Sequence, residues 1–98
     1  MMEFGYIGIN YKNADQDIRD GVSFTDDGKI DFMERAAEAG ISQCMVLSTC
    51  NRSEVYYLVQ NTEEHKTMER LYRGNFSAIC LDEYLDFRSG KEAIAYLF

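Results

Sequence analysis

The chain lacks the features that mark membrane, secreted and metal-stabilised proteins. No apolar stretch approaches the roughly 20 residues that a helix needs to cross a bilayer. The first residues have neither the basic start nor the long apolar run of a signal peptide. The 3 cysteines form no CxxC pair, which argues against a disulfide framework or a zinc site. We therefore expect a cytoplasmic protein with no membrane partner and no bound metal.

Positive charge is also scarce. The chain has 10 Lys and Arg against 17 Asp and Glu, which gives a net charge of −7. Surfaces that bind nucleic acid usually carry a basic patch, because contacts with phosphates supply most of the affinity. The basic residues here are scattered along the sequence, so we do not expect this chain to grip a nucleic-acid backbone by itself.

The composition supports one packed domain over residues 1–98. Hydrophobic residues make up 46% of the chain and aromatic residues 13%, which excludes a disordered polymer. No proline, repeat or low-complexity segment interrupts it. A chain of 98 residues is long enough for one modest core.

Hydrophobic spacing predicts the order strand, helix, strand, strand, helix, strand. The predicted strands are residues 4–11, 45–47, 55–59 and 84–87, and the predicted helices begin at residues 25–28 and 61–64. The predicted buried stripes are Ile30, Met33 and Ala37 in the first helix and Met68, Leu71 and Tyr72 in the second. Weaker helical patterns cover residues 13–22 and 89–98. This order favours an α+β fold of the ferredoxin-like, split βαβ kind, with a mostly antiparallel four-stranded sheet and helices on one face.

A polar connection, residues 48–53, joins the two central strands. It contains a thiol, hydroxyls, an amide and a guanidinium, and loops held by a rigid scaffold often carry the chemistry of a protein. Cys50 is the candidate nucleophile, because a thiolate is the reactive form of cysteine and the nearby cation of Arg52 favours it. Cys44 and Cys80 are expected to be buried or partly buried thiols.

Two blocks of sequence resemble a known family. The segment TCNRSEVY, which runs from Thr49 to Tyr56, resembles the catalytic-cysteine motif of the glutamyl-tRNA reductases. The stretch from Gly8 to Lys12, followed by Ile18 and Arg19, resembles the opening strand and first helix of that family. The resemblance implies a ferredoxin-like catalytic domain that NADPH-binding and dimerisation domains follow. Members of the family make glutamate-1-semialdehyde, the precursor of 5-aminolaevulinate and tetrapyrroles.

The resemblance also implies a mechanism. The Cys50 thiolate attacks the ester carbon that joins glutamate to tRNA, and hydride from NADPH reduces the resulting thioester to the aldehyde. Thr49 and Arg52 would orient the glutamate, since a guanidinium suits a carboxylate. The alternative for Arg52 is a simple ion pair with Glu54 or with another exposed acid. Further candidates for substrate binding are Ser48, Asn51 and Asn10.

The implied partners and cofactor lie largely outside these residues. Glutamyl-tRNA would be gripped mostly elsewhere, with only its acylated end reaching Cys50. No GxGxxG pattern occurs, so NADPH would be bound by a downstream domain. The full-length protein is expected to be a homodimer, with glutamate-1-semialdehyde aminomutase as a candidate partner. The last helical pattern stops without a cap or a polar tail, which predicts a chain truncated before those domains.

The sequence also departs from the family. The common His-Lys-Thr-Ala-Pro stretch reads YKNAD here, and a histidine proposed to assist catalysis in some members falls on Tyr96. A phenol with a pKa of ~10 is a poor base at neutral pH. The single histidine, His65, is expected to be solvated.

Two other classes of function stay open on the sequence. One is a small-ligand-binding regulatory module of the same fold. The other is a different cysteine-dependent acyltransferase or thioesterase. A dinucleotide-binding βαβ unit in the downstream sequence would favour the reductase over the regulatory module.

Overall fold

A computed structural model describes residues 2–9, 18, 21–49, 52–76 and 84–97, with side chains up to residue 95. The elements in these residues are β1 (Glu3–Ile9), α1 (Asp26–Glu38), β2 (Cys44–Thr49), β3 (Arg52–Val59), α2 (Thr62–Asn75), β4 (Leu85–Ser89) and α3 (Lys91–Leu97). The strands form one four-stranded sheet in the order β2-β3-β1-β4. All neighbouring strands are antiparallel. This is the predicted α+β, split βαβ arrangement.

Different helices pack on the two faces of the sheet. Side chains alternate along each strand, so Val55 and Tyr57 of β3 face α1 and α2, and we call this side the helix face. Tyr56 projects from the opposite side together with Tyr6 of β1, and we call that side the Tyr6 face. The short helix α3 packs on the Tyr6 face through Ala93. The main core lies on the helix face.

The two longer helices begin where the sequence predicts. The side chain of Thr25 accepts a hydrogen bond of 3.0 Å from the backbone N–H of Gly28 at the start of α1. Asn61 accepts one of 3.0 Å from Glu64 at the start of α2. Each bond satisfies one of the backbone N–H groups that a helix leaves unpaired at its N-terminus.

The predicted buried stripe of α1 is wrong in part. Phe32 and Ala36 are fully buried, whereas Ile30 is 54% exposed and Ala37 is exposed. Both sets have helical spacing, so periodicity alone does not choose between them. The ring of Phe32 determines which face of α1 is buried, because it packs edge-on against Phe24 with ring centroids 5.6 Å apart. In α2, Met68 and Tyr72 are fully buried and Leu71 is partly buried, as predicted.

The predicted six-residue loop between the central strands is much shorter. Pairing of β2 with β3 continues through Ser48↔Ser53 to Thr49↔Arg52. Most of the polar stretch is therefore strand, because serine, threonine and arginine can all take part in a backbone ladder. The final strand is Leu85–Ser89, one residue later at its start and two at its end than expected. The predicted helix at residues 13–22 lies mostly outside the described residues.

Candidate active site

The candidate site lies at the end of the β2–β3 hairpin. Thr49 and Arg52 are paired partners in the register, so their side chains project from the same face of the sheet. Cys50 and Asn51 join them in the chain and lie outside the described residues. We call Thr49, Arg52 and these two joining residues the hairpin end. The structure therefore brings together two of the predicted substrate-binding residues, on either side of the predicted nucleophile in the chain.

The first strand reaches the same end of the sheet. Gly8 of β1 pairs with Glu54 of β3, and β1 ends one residue later at Ile9. Asn10, the predicted pocket residue that follows, lies outside the described residues. Its place in the site stays a prediction.

Arg52 makes a close ion pair with Glu54. The Nη2 and Nε atoms of Arg52 lie 2.6 Å and 2.7 Å from Oε1 of Glu54. The two residues are on the same face because they are two positions apart in a strand. The side chain of Arg52 is 40% exposed, whereas that of Glu54 is 11% exposed. The pair thus joins a solvent-facing cation to a largely buried carboxylate, as the ion-pair alternative for Arg52 predicted.

Two tyrosine hydroxyls also bind Glu54. The Tyr6 hydroxyl donates to Oε2 at 3.1 Å, and the Tyr56 hydroxyl donates to Oε1 at 3.2 Å. Burial raises the pKa of Tyr56 to about 12, and the charge of Glu54 adds to the rise. Burial and the same carboxylate raise the pKa of Tyr6 further. Both phenols are therefore protonated donors at neutral pH.

Gly8 provides the space for this contact. The Tyr6 ring lies along β1 over Gly8, and a Cβ atom at position 8 would lie 2.5 Å from the Tyr6 hydroxyl oxygen. Glu54 is the cross-strand partner of Gly8. The glycine thus lets the Tyr6 hydroxyl reach the carboxylate on the neighbouring strand.

Ser48 lies on the other face. Its hydroxyl oxygen accepts a hydrogen bond of 2.9 Å from the backbone N–H of Phe24. Its paired neighbour Ser53 is fully buried and donates to the backbone carbonyl of Val22. These bonds fasten the segment before α1 to the hairpin, and the structure does not bring Ser48 together with Thr49 and Arg52. A role for Ser48 in substrate binding stays a prediction.

The described cysteine has the environment of a core thiol. Cys44 is partly buried and packs against the main core, as predicted. Burial raises its pKa to about 12, so little thiolate is present at neutral pH. Cys80 and the side chain of Tyr96 lie outside the described residues.

His65 is more enclosed than the sequence suggests. Its side chain is 25% exposed, and its Nε2 atom lies 2.6 Å from Oε1 of Glu3. Its Nδ1 atom lies 3.2 Å from the Tyr57 hydroxyl. The expectation of a solvated ring is wrong, because the start of α2 packs beside the start of β1, a contact between residues far apart in the chain. Since Tyr57 is on the helix face, His65 is separated by the sheet from Arg52.

No metal site or membrane span is found in the part of the chain that the structure describes. Within it, no group of three His, Cys, Asp or Glu side chains could hold a metal ion. None of its helices is both long and apolar enough to cross a membrane.

The contacts of Tyr6 and Tyr56 with Glu54 were not predicted. Strand alternation could have placed Arg52, Glu54 and Tyr56 on one face from sequence alone, since they are spaced by two residues. The Tyr6 contact depends on the register between β1 and β3, which no local pattern fixes.

The fold and the hairpin end together define an α+β domain in which a threonine and an arginine are paired at one sheet end, with a cysteine between them in the sequence. A sequence model described as "Glutamyl-tRNAGlu reductase, N-terminal domain" matches residues 7–98. The chain belongs to this family.

Curated relatives agree with this assignment. The glutamyl-tRNA reductase of Clostridium novyi (strain NT) is 34% identical over 98 residues, which are 99% of this chain and 24% of the relative. That of Alkaliphilus metalliredigens (strain QYMF) is 34% identical over 101 residues, with the same coverage of 99% and 24%. That of Christiangramia forsetii is 45% identical over 58 residues, which are 59% of this chain and 14% of the relative. The chain spans about a quarter of the length of the first of these relatives.

Proposed function

We propose that the chain is the catalytic, glutamyl-tRNA-binding part of an NADPH-dependent glutamyl-tRNA reductase. The product would be glutamate-1-semialdehyde, in the first step of tetrapyrrole biosynthesis. The observation that carries the proposal is the hairpin end: Cys50 falls between Thr49 and Arg52, which the sheet holds opposite each other. The family membership of the chain supports the same reaction.

The covalent step uses residues of this chain. The Cys50 thiolate attacks the ester carbon of glutamyl-tRNA, the bond from that carbon to the ribose oxygen breaks, and the ribose hydroxyl leaves with a proton from solvent. A glutamyl thioester on Cys50 remains. The cation of Arg52, two residues along, favours the thiolate.

The substrate offers one free carboxylate to Arg52. The α-carboxyl group of the glutamate is esterified to tRNA, so only its side-chain carboxylate is ionised. Glu54 occupies the Nε and Nη2 atoms of Arg52. The Nη1 atom has no partner within residues 2–9, 18, 21–49, 52–76 and 84–97. Arg52 can therefore keep its ion pair and still bind the substrate carboxylate through its Nη1 edge. Thr49, on the same face, would orient the glutamate beside it.

The reduction of the thioester needs a hydride donor in addition to these residues. NADPH supplies the hydride that converts the thioester to the aldehyde. The sequence has no GxGxxG phosphate-binding pattern, and in our proposal the cofactor is held outside these 98 residues. The homodimer and a glutamate-1-semialdehyde aminomutase partner belong to the same proposal for the whole protein.

The charges support tRNA binding mainly outside this chain. Most described Lys and Arg side chains already lie within 4.0 Å of a carboxylate: Lys29, Arg35, Arg52, Lys66, Arg73 and Arg88. At the distance of a phosphate that does not contact the pair directly, the charge of each such cation is largely offset by its carboxylate. The net charge of −7 acts in the same direction. We propose that this chain receives the acylated end of the tRNA and little more.

Trapping the covalent intermediate tests the proposal. The chain is mixed with tRNA that carries radiolabelled glutamate, in the absence of NADPH. The reaction is quenched in acid, and the labelled residue is located by peptide mapping. The label should appear on the Cys50 peptide and be released by hydroxylamine, and free glutamate should accumulate slowly with no aldehyde. Cys50→Ser should abolish the label, because a serine without a general base is a much weaker nucleophile. Label on Cys44, or label retained in Cys50→Ser, would contradict the proposal.

A further inference from the structure

Glu54 is held by polar contacts from three neighbouring side chains. Its carboxylate accepts hydrogen bonds from Nε of Arg52 and from the hydroxyls of Tyr6 and Tyr56, and Nη2 of Arg52 forms an ion pair with it. The two Arg52 atoms and the Tyr56 hydroxyl contact Oε1, and the Tyr6 hydroxyl donates to Oε2. The carboxylate is therefore fixed from two sides, by the arginine and by the two phenols.

The phenols themselves are held in place. Tyr6 and Tyr56 are 1% and 2% exposed, and their ring centroids lie 5.2 Å apart. Ala93 of α3 belongs to the same buried cluster as the two rings. Because buried aromatic rings have little rotational freedom, the position of the Glu54 carboxylate follows from the packing of the sheet.

This carboxylate fixes the orientation of Arg52. An arginine at 40% exposure would otherwise sample many rotamers in water. Contacts at both Nε and Nη2 define the plane of the guanidinium as well as its position, and the Nη2 atom also lies 3.4 Å from the Tyr56 hydroxyl. The Nη1 atom then projects away from Glu54.

We propose that Glu54 is a positioning residue that acts through Arg52. Held by Tyr6 and Tyr56, Glu54 orients the guanidinium so that its Nη1 edge binds the side-chain carboxylate of the esterified glutamate. This inference rests on the proposed function. It assigns to Glu54 the selection of glutamate over an uncharged analogue of the same shape.

A purely stabilising role explains the arrangement less well. Exposed arginine–carboxylate pairs typically contribute about 0 to 1 kcal/mol to stability. Placing a carboxylate against buried rings carries a desolvation cost, which well-packed apolar side chains would avoid. The arrangement does, however, give a precise direction to a cation beside Cys50 in the chain.

The test compares two esters that differ only in the charge of the amino-acid side chain. Adenosine esters of glutamate and of glutamine are given to the full gene product without NADPH, and Cys50-dependent release of the amino acid is measured for each. The ratio of kcat/KM for the glutamyl ester to kcat/KM for the glutaminyl ester reports the contact with the side-chain carboxylate. A general loss of folding would lower both values together and leave the ratio unchanged.

Glu54→Gln should lower this ratio about tenfold, as should Arg52→Lys, since each disturbs a charge-assisted contact. The ratio should fall a few-fold in Tyr6→Phe and likewise in Tyr56→Phe. The double variant should lower the ratio about as much as Glu54→Gln does. Tyr57→Phe is the matched control, because it removes a phenol hydroxyl from the same strand on the helix face. It should leave the ratio unchanged.

The possible outcomes distinguish a failure of this inference from a failure of the proposed function on which it rests. An unchanged or higher ratio in Glu54→Gln, with a lower ratio in Arg52→Lys, overturns the inference and leaves the proposed function standing. A higher ratio would mean that Glu54 competes with the substrate for Arg52. If Glu54→Gln does not fold, the Tyr6→Phe/Tyr56→Phe double variant decides, and an unchanged ratio there overturns the inference. Ester cleavage that survives Cys50→Ser overturns the proposed function itself.

Discussion

The guanidinium of Arg52 lies 2.6 Å from the carboxylate of Glu54, two residues along the same strand. Alternation along β3 places both side chains on the Tyr6 face. One end of this pair is exposed beside the hairpin connection that contains Cys50, and the other end is buried under two tyrosines. The pair therefore connects the candidate site to the packed centre of the sheet.

Cys50 should be more reactive than Cys44, the cysteine that the structure describes. Burial raises the pKa of Cys44 to about 12, so its thiolate fraction at neutral pH is very small. In our proposal, the cation of Arg52, two residues along the chain, favours the thiolate of Cys50. Brief alkylation with iodoacetamide at pH 7, followed by peptide mapping, should label Cys50 first. Labelling of Cys44 should increase only as the pH rises towards its raised pKa. Preferential labelling of Cys44 or Cys80 at pH 7 would contradict this expectation.

Gly8→Ala should destabilise the fold and disturb the site. A Cβ atom there would lie 2.5 Å from the Tyr6 hydroxyl oxygen and 3.1 Å from the Ser53 carbonyl oxygen, so the ring must move away from Glu54. We expect a loss of about 1 to 3 kcal/mol in the free energy of unfolding, measured by urea denaturation.

Gly74→Ala is the matched control for that substitution. Gly74 lies within α2, and a Cβ atom there would meet nothing within 4 Å. Alanine has the higher helix propensity, so this variant should be as stable as the parent or more stable by about 0.5 to 1 kcal/mol. Equal stability of the two variants would show that the Tyr6 ring does not need the space above Gly8.

Ser53→Ala should remove a buried anchor. The Ser53 hydroxyl donates to the Val22 carbonyl and lies 3.1 Å from the Tyr72 hydroxyl. Without it the Val22 carbonyl loses this buried donor, and we expect destabilisation of about 1 to 3 kcal/mol in urea denaturation. Thr67→Ala removes a hydroxyl that bonds an exposed helix carbonyl and should change stability by no more than about 0.5 kcal/mol. A Ser53→Ala variant as stable as Thr67→Ala would contradict the anchoring role.

Local sequence signals predicted the elements of the fold well. Thr25 and Asn61 mark the helix starts because short polar side chains satisfy free N–H groups there. Alternating apolar residues mark β1 and β3, and the strand–helix order then leaves few topologies for the sheet. The sequence also predicted a connection at the end of the central strands, and Thr49 and Arg52 are the last pair of the β2–β3 ladder there.

Contacts between distant residues could not be predicted in the same way. The Tyr6–Glu54 bond joins residues 48 positions apart, and the His65–Glu3 contact joins residues 62 positions apart. Each depends on strand register or helix docking, which the whole fold decides. The buried face of α1 depends likewise on the position of Phe24 relative to Phe32.

The 98-residue chain should bind tRNA only weakly. Its net charge is −7 and most described cations are paired, so few counterions would be released on binding. Titration of fluorescent tRNA at moderate salt should show no saturable binding at low micromolar concentrations of this chain. Tight binding that weakens steeply with added salt would contradict the proposal that most contacts with tRNA lie outside these residues.

The central claim is that Cys50 carries the glutamyl group on its way to the aldehyde. The most direct measurement is the amount of glutamate-1-semialdehyde formed from glutamyl-tRNA by the full gene product with NADPH, compared with its Cys50→Ser variant. The parent should form semialdehyde in step with NADPH oxidation, and the variant should form none while remaining folded. Semialdehyde formation that persists in Cys50→Ser, or a folded parent that forms none and releases only glutamate, would contradict the account.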